Sequence, residues 1–260
     1  LYFLLYKMIA KKPLVSIIIT YFDKKKYIKK TFNSIFDQTY KNYELIFVYD
    51  DPNKDDLQLI KELLKRFKKK KLILNNKNLG VAKSRNLALR ACSGAFVAFI
   101  DADDIWKKNK LTNQINFMIN KFSDLSFTSY GIIDEKNKLL GVRKVTVDAN
   151  YKKIYRSNFI GLSTVIINRK KIKKFKFPNL NTQEDFALWL TLLRKGYSLN
   201  HLNSVLSYWR KTENSLSSNN LQKITDAFKL YYSIENKNFI FSIYSVLVLS
   251  YYKLKNNILN

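Results

Sequence analysis

Cysteine, histidine and glycine are scarce in this sequence of 260 residues, which has one cysteine, one histidine and six glycines. A single cysteine excludes an intramolecular disulfide and a zinc site built from several cysteines, and a single histidine excludes an HExxH metalloprotease motif. The glycines lie at least ten residues apart, so neither the GxGxxG pattern of dinucleotide-binding proteins nor the GxxxxGK[ST] pattern of P-loop proteins can be written. Any catalysis must therefore depend mainly on carboxylates.

Positive charge, by contrast, is abundant. The chain carries 47 Lys and Arg against 20 Asp and Glu, a formal net charge of +27. Such a charge predicts an anionic partner, which is a nucleic acid, a membrane surface or a phosphate-bearing small molecule. A bias towards lysine on solvated helix faces gives the same charge, so the charge alone does not choose. Since 47% of the residues are apolar and 15% aromatic, the chain can bury a core and is not intrinsically disordered.

Apolar runs alternate with helical patterns over the first hundred residues. Strands are predicted over 14–19, 44–49, 72–74 and 95–100. A helix is predicted after each of the first three strands, the third of them over 81–91. This alternation, with short connections, implies right-handed βαβ crossovers and a mostly parallel central sheet flanked by helices, which is an α/β fold class.

Beyond residue 105 the alternation weakens. The pattern predicts a helix over 107–121, a strand over 125–130, a hairpin around 134–138, a helix from Phe186 to Leu193 with Gly196 as its C-cap, and a helix over 220–236. The run 239–252 is nearly all apolar. No Pro/Gly/Ser-rich linker divides the chain, so we expect one domain with a C-terminal extension.

Two acidic clusters lie where predicted strands end. Asp50 and Asp51 follow the second strand, and Asp101, Asp103 and Asp104 follow the fourth. Ligands of open parallel sheets bind at the carboxyl ends of the strands, so both clusters are placed for a binding site. An aspartate there is also a common helix cap, but one cap needs only one carboxylate. Three carboxylates favour a hard divalent cation, Mg²⁺ or Mn²⁺, that takes further oxygens from substrate phosphates.

Five segments, in this order and spacing, resemble the motifs of glycosyltransferase family 2. They are VSIIITYFDKKKYI, NSIFDQTYKNYELIFVYDD, NLGVAKSRNLAL, AFVAFIDADDIW and TQEDFALWLTLLRKGY. The resemblance runs from about Leu14 to Asn219, and FTSYGIIDEKNKLLG and LSYWRKTENSLSSN are most similar to bacterial surface-polysaccharide enzymes of the teichuronic-acid type. It implies the GT-A fold of nucleotide-diphospho-sugar transferases and an inverting transfer from a nucleotide-sugar, most simply a UDP-sugar.

The resemblance also implies a division of the chain. The glycosyltransferase domain spans 13–219, with a nucleotide-binding half over about 13–105 and an acceptor half over about 106–219, and 220–260 form a C-terminal helical extension. Residues 1–12 are read as an N-terminal tail, since LYFLLY is too short for a signal peptide.

The donor site implied by the resemblance lies at strand ends and at the start of the third helix. Its members are Thr20, Phe22, Asp50, Asp51, Lys83, Arg85, Asn86, Asp101 and Arg210. In this pattern Phe22 stacks on uracil, Asp50 or Asp51 accepts a hydrogen bond from the base, and Asp101 faces the ribose and the metal. Asp103 ligates the divalent metal, Mn²⁺ or Mg²⁺, which neutralises the departing diphosphate.

Glu184 and Asp185 precede the helix that buries Phe186. An acidic pair in a first turn is also favoured by the helix dipole alone. The resemblance makes Asp185 the general base, which takes the proton of the acceptor hydroxyl as it attacks the anomeric carbon, and makes Glu184 a residue that positions the acceptor. A single displacement needs no second, nucleophilic carboxylate.

The sequence departs from the family pattern at three places. Pro52-Asn53 stand where Gly-Ser often follows the Asp pair, Asp23 stands where the first strand usually ends in an asparagine, and Thr212 stands where many relatives have a histidine. Two expectations follow from Thr212: either Arg210 or Lys211 supplies the charge that compensates the donor diphosphate, or donor binding is weaker.

The apolar run 239–252 is shorter than the ~18–20 residues needed to span a bilayer. It is flanked by Lys237, Lys253 and Lys255. The run is either a helix packed on the core or an interfacial helix with aromatic residues and lysines at the headgroups. The resemblance favours the second reading, because related enzymes often use glycan or lipid-linked saccharide acceptors. We therefore expect a cytoplasmic protein that is peripheral on the inner face of the cell membrane and attracted to its anionic surface.

Two other functions compete. A basic nucleic-acid-binding protein explains the charge of +27 but not the carboxylates at strand ends, and the sequence lacks an RRM, KH or helix-turn-helix pattern, so no nucleic acid is expected. An inactive transferase-like scaffold is opposed by the presence of Asp101, Asp103 and Asp185. The sequence does not identify the sugar, the acceptor or the linkage.

Overall fold

A sheet of nine strands runs through the protein, with helices packed on both of its faces. The computed structural model describes residues 12–212 and 220–258, so residues 1–11 of the predicted tail and the predicted boundary near 219 lie outside the described residues. The strands are β1 (Val15–Tyr21), β2 (Tyr43–Tyr49), β3 (Lys70–Leu74), β4 (Phe96–Phe99), β5 (Ile105–Trp106), β6 (Leu125–Ile133), β7 (Leu139–Arg143), β8 (Ile166–Asn168) and β9 (Leu199–Arg210). The helices are α1 (Lys25–Phe36), α2 (Leu57–Lys65), α3 (Val81–Ala91), α4 (Lys110–Lys121), α5 (Tyr151–Arg156), α6 (Glu184–Arg194), α7 (Asn220–Lys229) and α8 (Phe239–Ile258).

The sheet is mixed but has one dominant direction. Its order is β3-β2-β1-β4-β8-β6-β9-β5, and β7 pairs with β6. Strands β1 to β4 pair in parallel, β6 pairs in parallel with β9, and the short strands β5, β7 and β8 run opposite. Six strands therefore end at the same edge, which confirms the α/β class and brings the predicted strand-end residues to one side of the molecule.

The first four strands form where the sequence is continuously apolar, because a parallel sheet covered on both faces buries both sets of side chains. In β1, Ile17 and Ile19 pack in the cluster that contains Phe32 of α1 and Ile60 of α2. Ile18 points the other way, into the cluster formed by α3, α5 and α6. The alternation along one strand thus produces three layers.

Helix α6 ends at Gly196, as predicted. Gly196 has a φ of +82°, its N–H donates to the carbonyl of Leu193 at 3.0 Å, and the N–H of Tyr197 donates to the carbonyl of Leu192 at 3.1 Å. These bonds satisfy the last carbonyls of the helix. The predicted hairpin is also present, since β6 and β7 are joined at Asp134, whose N–H donates to the carbonyl of Lys138.

The C-terminal segment folds as two helices that pack against α5 and the segment before α6. α7 continues into a π-helical turn (Leu230–Ile234), and α8 contains the whole apolar run 239–252. Over 12–212 and 220–258, no helix combines the length and the hydropathy needed to cross a bilayer.

Candidate active site

A crevice lies at the carboxyl edge of the sheet between β1 and β4. There the strand order reverses, because β2 and β3 lie on one side of β1 and β4 lies on the other. Such a reversal of strand order is where open α/β sheets bind their ligands. The loop after β4 carries Asp101 and Asp103, and the loop after β1 carries Lys24. The Nζ of Lys24 lies 3.1 Å from a carboxylate oxygen of Asp103, so this ion pair connects the two loops across the crevice.

Arg85 connects this crevice to the start of α6. Its Nη2 donates to Asp101 at 2.7 Å, and its Nη1 donates to Glu184. The side chain of Arg85 is only 6% exposed, and its guanidinium also lies 5.4 Å from the ring centroid of Phe177. A buried arginine of this kind requires both carboxylates for compensation, so it fixes the position of Glu184 relative to the loop after β4.

Asp185 lies beside this bridge, at the start of α6. One of its oxygens accepts a hydrogen bond from the N–H of Phe186 at 2.6 Å. Burial, and after it the negative charge of Glu184, raises the pKa of Asp185 to about 7, and the charge of Arg85 opposes the increase. A carboxylate with a pKa near neutrality is suited to accept a proton and to release it again.

Asp104 anchors the loop from the inside. Its carboxylate accepts from the hydroxyl of Ser163 at 2.5 Å and from the N–H of Arg210 at 2.9 Å. Burial, with the charges of Asp103 and Asp101, raises its pKa well above the usual range. The three carboxylates after β4 therefore have different tasks: Asp104 shapes the loop, while Asp101 and Asp103 face the crevice.

Asp101 and Asp103 form a donor set that fits a divalent cation such as Mg²⁺ or Mn²⁺. Burial and the charge of Asp101 raise the pKa of Asp103, against the effect of Lys24, so a cation would relieve the repulsion. Among the described residues, no cluster of three or more Asp, Glu, His or Cys is arranged to hold a metal. The protein would thus supply two carboxylates, and water and diphosphate oxygens would supply the other ligands.

Asp50 and Asp51 organise the loops beside the crevice. Asp50 is buried, and its carboxylate accepts from the side chain of Asn75 at 2.7 Å and from the N–H groups of Leu79 and Gly80 at 2.9 and 3.0 Å. It therefore shapes the entry into α3. Asp51 is half-buried and accepts from the N–H of Asp23 at 3.2 Å, which ties the loop after β2 to the loop after β1.

The other predicted donor-site residues differ in how accessible they are to a ligand. Phe22 is 46% exposed at the end of β1, where its ring is available to a base, and Thr20 lies two residues earlier on the same strand. Lys83 is exposed on the first turn of α3. Asn86 is occupied elsewhere: it donates to the carbonyl of Phe177 and accepts from the N–H of Phe177, each at 2.8 Å, so it holds that segment against α3.

The guanidinium of Arg210 is held by the loop after β4 and by the β6–β7 hairpin, and its part in donor binding stays a prediction. Its guanidinium donates to the backbone carbonyls of Asp103 and Asp134 at 2.8 Å and to the side chain of Asn137 at 2.8 Å. It thereby fastens the β6–β7 hairpin to the loop after β4. Lys24, from the lysine run after β1, forms an ion pair with Asp103, and no sequence pattern distinguishes it from Lys25 and Lys26.

Sequence reasoning also missed two residues at the acceptor side. Ser163 donates to Asp104, and its hydroxyl accepts from the N–H of Asp101 at 3.0 Å, so it joins the two ends of the carboxylate loop. Tyr130, on β6, is close enough to Asp185 and Arg143 for both charges to affect its pKa, which burial raises. No sequence motif marks either residue, since each reaches the site only through the pairing of the acceptor half.

A parallel α/β half with a carboxylate loop at its switch point, followed by a mixed half that brings an acidic pair to the same edge, is the arrangement of a GT-A type nucleotide-diphospho-sugar transferase. The family model described as glycosyl transferase family 2 matches residues 16–180. The chain belongs to glycosyltransferase family 2 and is a glycosyltransferase. Enzymes of this fold typically use a divalent metal.

Two relatives of this chain come from bacteria. A Bacillus subtilis protein named for teichuronic acid biosynthesis, TuaG, is 34% identical over 233 residues, which are 88% of this chain and 91% of that protein. The Escherichia coli enzyme WfaP, named UDP-Glc:alpha-D-GlcNAc-diphosphoundecaprenol beta-1,3-glucosyltransferase, is 36% identical over 81% of this chain and 82% of its own. The crystal structure of S. aureus TarS 1–349 with UDP-GlcNAc has the same fold, with a TM-score of 0.67 and 22% identity over 90% of this chain and 71% of that chain.

Proposed function

We propose that this protein transfers a sugar, with inversion at the anomeric carbon, from a UDP-sugar to a hydroxyl group of a lipid-linked or growing surface-glycan acceptor. One observation carries the proposal: Asp185, whose pKa is raised to about 7, directly follows Glu184, which Arg85 joins to Asp101 of the carboxylate loop at the switch point. The names of TuaG and WfaP support the donor and acceptor classes, since they refer to a cell-surface polymer, a UDP-sugar and a diphospholipid acceptor.

The nucleotide-binding half, 13–105, is assigned to the donor. The exposed ring of Phe22 is available for stacking on the base, and Asp51 lies at the same rim. Asp101 and Asp103 would hold a divalent metal, which as a Lewis acid would neutralise the charge that develops on the departing diphosphate. Lys24 provides a protein cation at the same place, 3.1 Å from Asp103.

The acceptor half, 106–219, is assigned to the nucleophile. Asp185 accepts the proton of the acceptor hydroxyl as that oxygen bonds to the sugar, and the proton is afterwards released to solvent. Glu184 is held by Arg85, so it fixes the start of α6 and the direction in which Asp185 points. Proton transfer of this kind is usually worth about 10²–10⁴ in rate.

The C-terminal extension, 220–260, is assigned to the membrane surface. Helix α8 buries its small polar residues, Ser242 and Ser245, and the hydroxyl of Ser245 lies 2.7 Å from that of Tyr155. Its large apolar residues point to solvent, with Ile240 77% and Leu247 63% exposed. The other exposed apolar residues of α8 are Phe239, Phe241, Ile243, Tyr244, Tyr251 and Leu254. An apolar face of this size, on a chain of charge +27, suits the inner, anionic leaflet of the cell membrane better than it suits water.

The donor part is tested by calorimetric titration of UDP with Mn²⁺ into the parent, into Asp103→Ala and into Asp55→Ala, which removes an exposed aspartate of the segment between β2 and α2. We expect Asp103→Ala to abolish metal-dependent UDP binding with no loss of thermal stability, because it removes one of several repelling carboxylates. Asp55→Ala should bind as the parent does. Unchanged affinity in Asp103→Ala would contradict the metal assignment, and tighter binding of single-stranded DNA than of UDP would favour the nucleic-acid alternative.

A further inference from the structure

A groove with a cavity volume of about 630 Å³ lies on the acceptor half, outside the carboxylate crevice. Its cations come from the end of β7, the segment after it and α5: Arg143, Lys144, Lys152, Lys153 and Arg156. Phe159 and Tyr252 add aromatic walls. We call this site the basic groove.

No carboxylate lines the basic groove. None of its five cations forms a salt bridge with another residue in the described ranges 12–212 and 220–258. The nearest acid in sequence, Asp148, is turned to β9, where it accepts from the N–H of His201 at 2.6 Å and from the side chain of Asn200 at 3.1 Å. Concave walls concentrate the field of such charges, so the groove is built to attract an anion.

One end of the basic groove adjoins the proposed catalytic base. In the β6–β7 ladder Arg143 pairs with Tyr130, and the charges of Arg143 and Asp185 both act on the Tyr130 phenol. The backbone at Gly161 packs on the Tyr130 ring, with 3.3 Å between the position of a Cβ and the ring. Tyr130 thus lies within the electrostatic range of both the groove cation Arg143 and the proposed base Asp185.

The other end of the basic groove adjoins the apolar face of α8. Tyr252 lines the groove, while its neighbours Tyr251 and Leu254 are exposed on the same helix. A ligand that extends from Asp185 through the groove to α8 meets, in order, a base, a set of cations and an apolar surface. This order matches an amphiphile with a sugar, an anionic linkage and a hydrocarbon chain.

We propose that the basic groove binds the diphosphate linkage of a lipid-linked saccharide acceptor, so that the sugar reaches Asp185 and the lipid chain remains in the membrane beside α8. This inference rests on the proposed function for the identity of the acceptor, but the groove can be tested without transfer. Lysine and arginine both suit the task, since a diphosphate needs charge and several N–H donors.

The test uses Lys144→Gln/Lys152→Gln/Arg156→Gln, three exposed groove positions whose replacement should not affect folding. The matched control is Lys61→Gln/Lys68→Gln/Lys69→Gln, which removes the same charge at exposed positions in and after α2. Binding of farnesyl diphosphate and of farnesol is measured in neutral detergent micelles, with EDTA present so that the carboxylate loop holds no diphosphate through a metal.

We expect the parent and the control to bind farnesyl diphosphate at least tenfold more tightly than the groove variant does, and all three to bind farnesol alike. Equal binding of farnesyl diphosphate by groove variant and control would overturn the proposal. So would a groove variant that keeps farnesyl diphosphate but loses phosphatidylglycerol vesicles, because the groove would then serve bulk headgroups. UDP binding with Mn²⁺ is measured in parallel: its absence from the parent would contradict the proposed function and leave the result for the groove standing.

Discussion

Replacement of Glu184 by glutamine should move the pH dependence of transfer to lower pH. Asp185 must be ionised to accept the acceptor's proton, so kcat/KM should rise with pH through the pKa of about 7. Burial is the first cause of that raised pKa, and the negative charge of Glu184 is the second. Glutamine keeps the size of the side chain and an oxygen for Arg85, but it removes the charge next to Asp185.

The size of the shift follows from the electrostatics of a carboxylate pair. Two unit charges about 5–6 Å apart interact by about 3 kcal/mol at an effective dielectric constant of about 20. One pH unit corresponds to about 1.4 kcal/mol, and Asp185 keeps some contact with solvent, so we expect a shift of about one to two units. At about pH 6 a base with a pKa of about 7 is about one-tenth ionised, and a base with a pKa of about 6 is about half ionised. Relative to its own plateau, the variant should therefore be about fivefold faster at that pH.

The assay measures kcat/KM for the acceptor from about pH 5 to about pH 9, with saturating donor and Mn²⁺. Each pH profile is normalised to its plateau. A change in acceptor positioning would alter the height of the plateau, but not the pH at which the rising part of the profile, its limb, lies. Glu62→Gln, an exposed change on α2, should leave the limb at the parent's position. Asp185→Asn should lower transfer by at least about 10²-fold and remove the limb. A limb for Glu184→Gln that stays where it is in the parent, or moves to higher pH, would refute the reasoning.

Two further predictions concern the surface and the core. Ile240→Gln/Leu247→Gln on α8 should weaken co-sedimentation with phosphatidylglycerol vesicles at low salt by at least about tenfold, because each apolar side chain buried at the interface contributes about 1.5–3 kcal/mol. The control Leu74→Gln, which changes an exposed residue on β3, should have no effect. A parent protein that stays in the supernatant would refute the interfacial assignment. Gly94→Ala should lower the free energy of unfolding, measured in urea, by about 1–3 kcal/mol, because its Cβ would lie 2.6 Å from the N of Ser16 and 2.8 Å from the carbonyl of Leu14. The control Gly141→Ala adds a Cβ that has no neighbouring atom within 4 Å, so it should change this free energy by less than about 0.5 kcal/mol. Equal stability of the two variants would contradict the close approach at Gly94.

The nucleotide-binding half could be predicted from the sequence because its elements are locally specified. A continuous apolar run indicates a strand buried on both faces, and α3 is predicted and observed over the same residues, 81–91. Once the strands are parallel, the residues that follow them must meet at one edge, so Asp50 and Asp101 were placed correctly without knowledge of their contacts.

What each side chain does at that edge could not be predicted, since it depends on partners that are distant in sequence. Arg85 looked like a donor-site residue of α3, yet it joins Asp101 to Glu184, which is 99 residues away. Arg210 is bound by the loop after β4 and by the hairpin after β6, and Lys24, which no sequence pattern distinguishes, forms the ion pair with Asp103. The sequence therefore shows which charge a side chain carries, but the orientation of that side chain depends on the partner that the fold brings close to it.

The acceptor half was the least predictable part, and the reason bears on specificity. Its strands β5, β7 and β8 have two, five and three residues, too few for a periodic pattern. They are held by the strands with which they pair: β5 by β9, β7 by β6, and β8 by β4 and β6. The segments that make up the basic groove, from Arg143 to Phe159, bury Val145 and Ile154 in the core, while groove charges such as Lys144 and Lys152 are exposed. These exposed charges can change while the buried residues, β1 to β4 and the carboxylate loop stay as they are. On the proposed function, donor chemistry and acceptor recognition would therefore lie in different parts of the fold, and the choice of acceptor would depend on the charges of the basic groove and on the apolar face of α8.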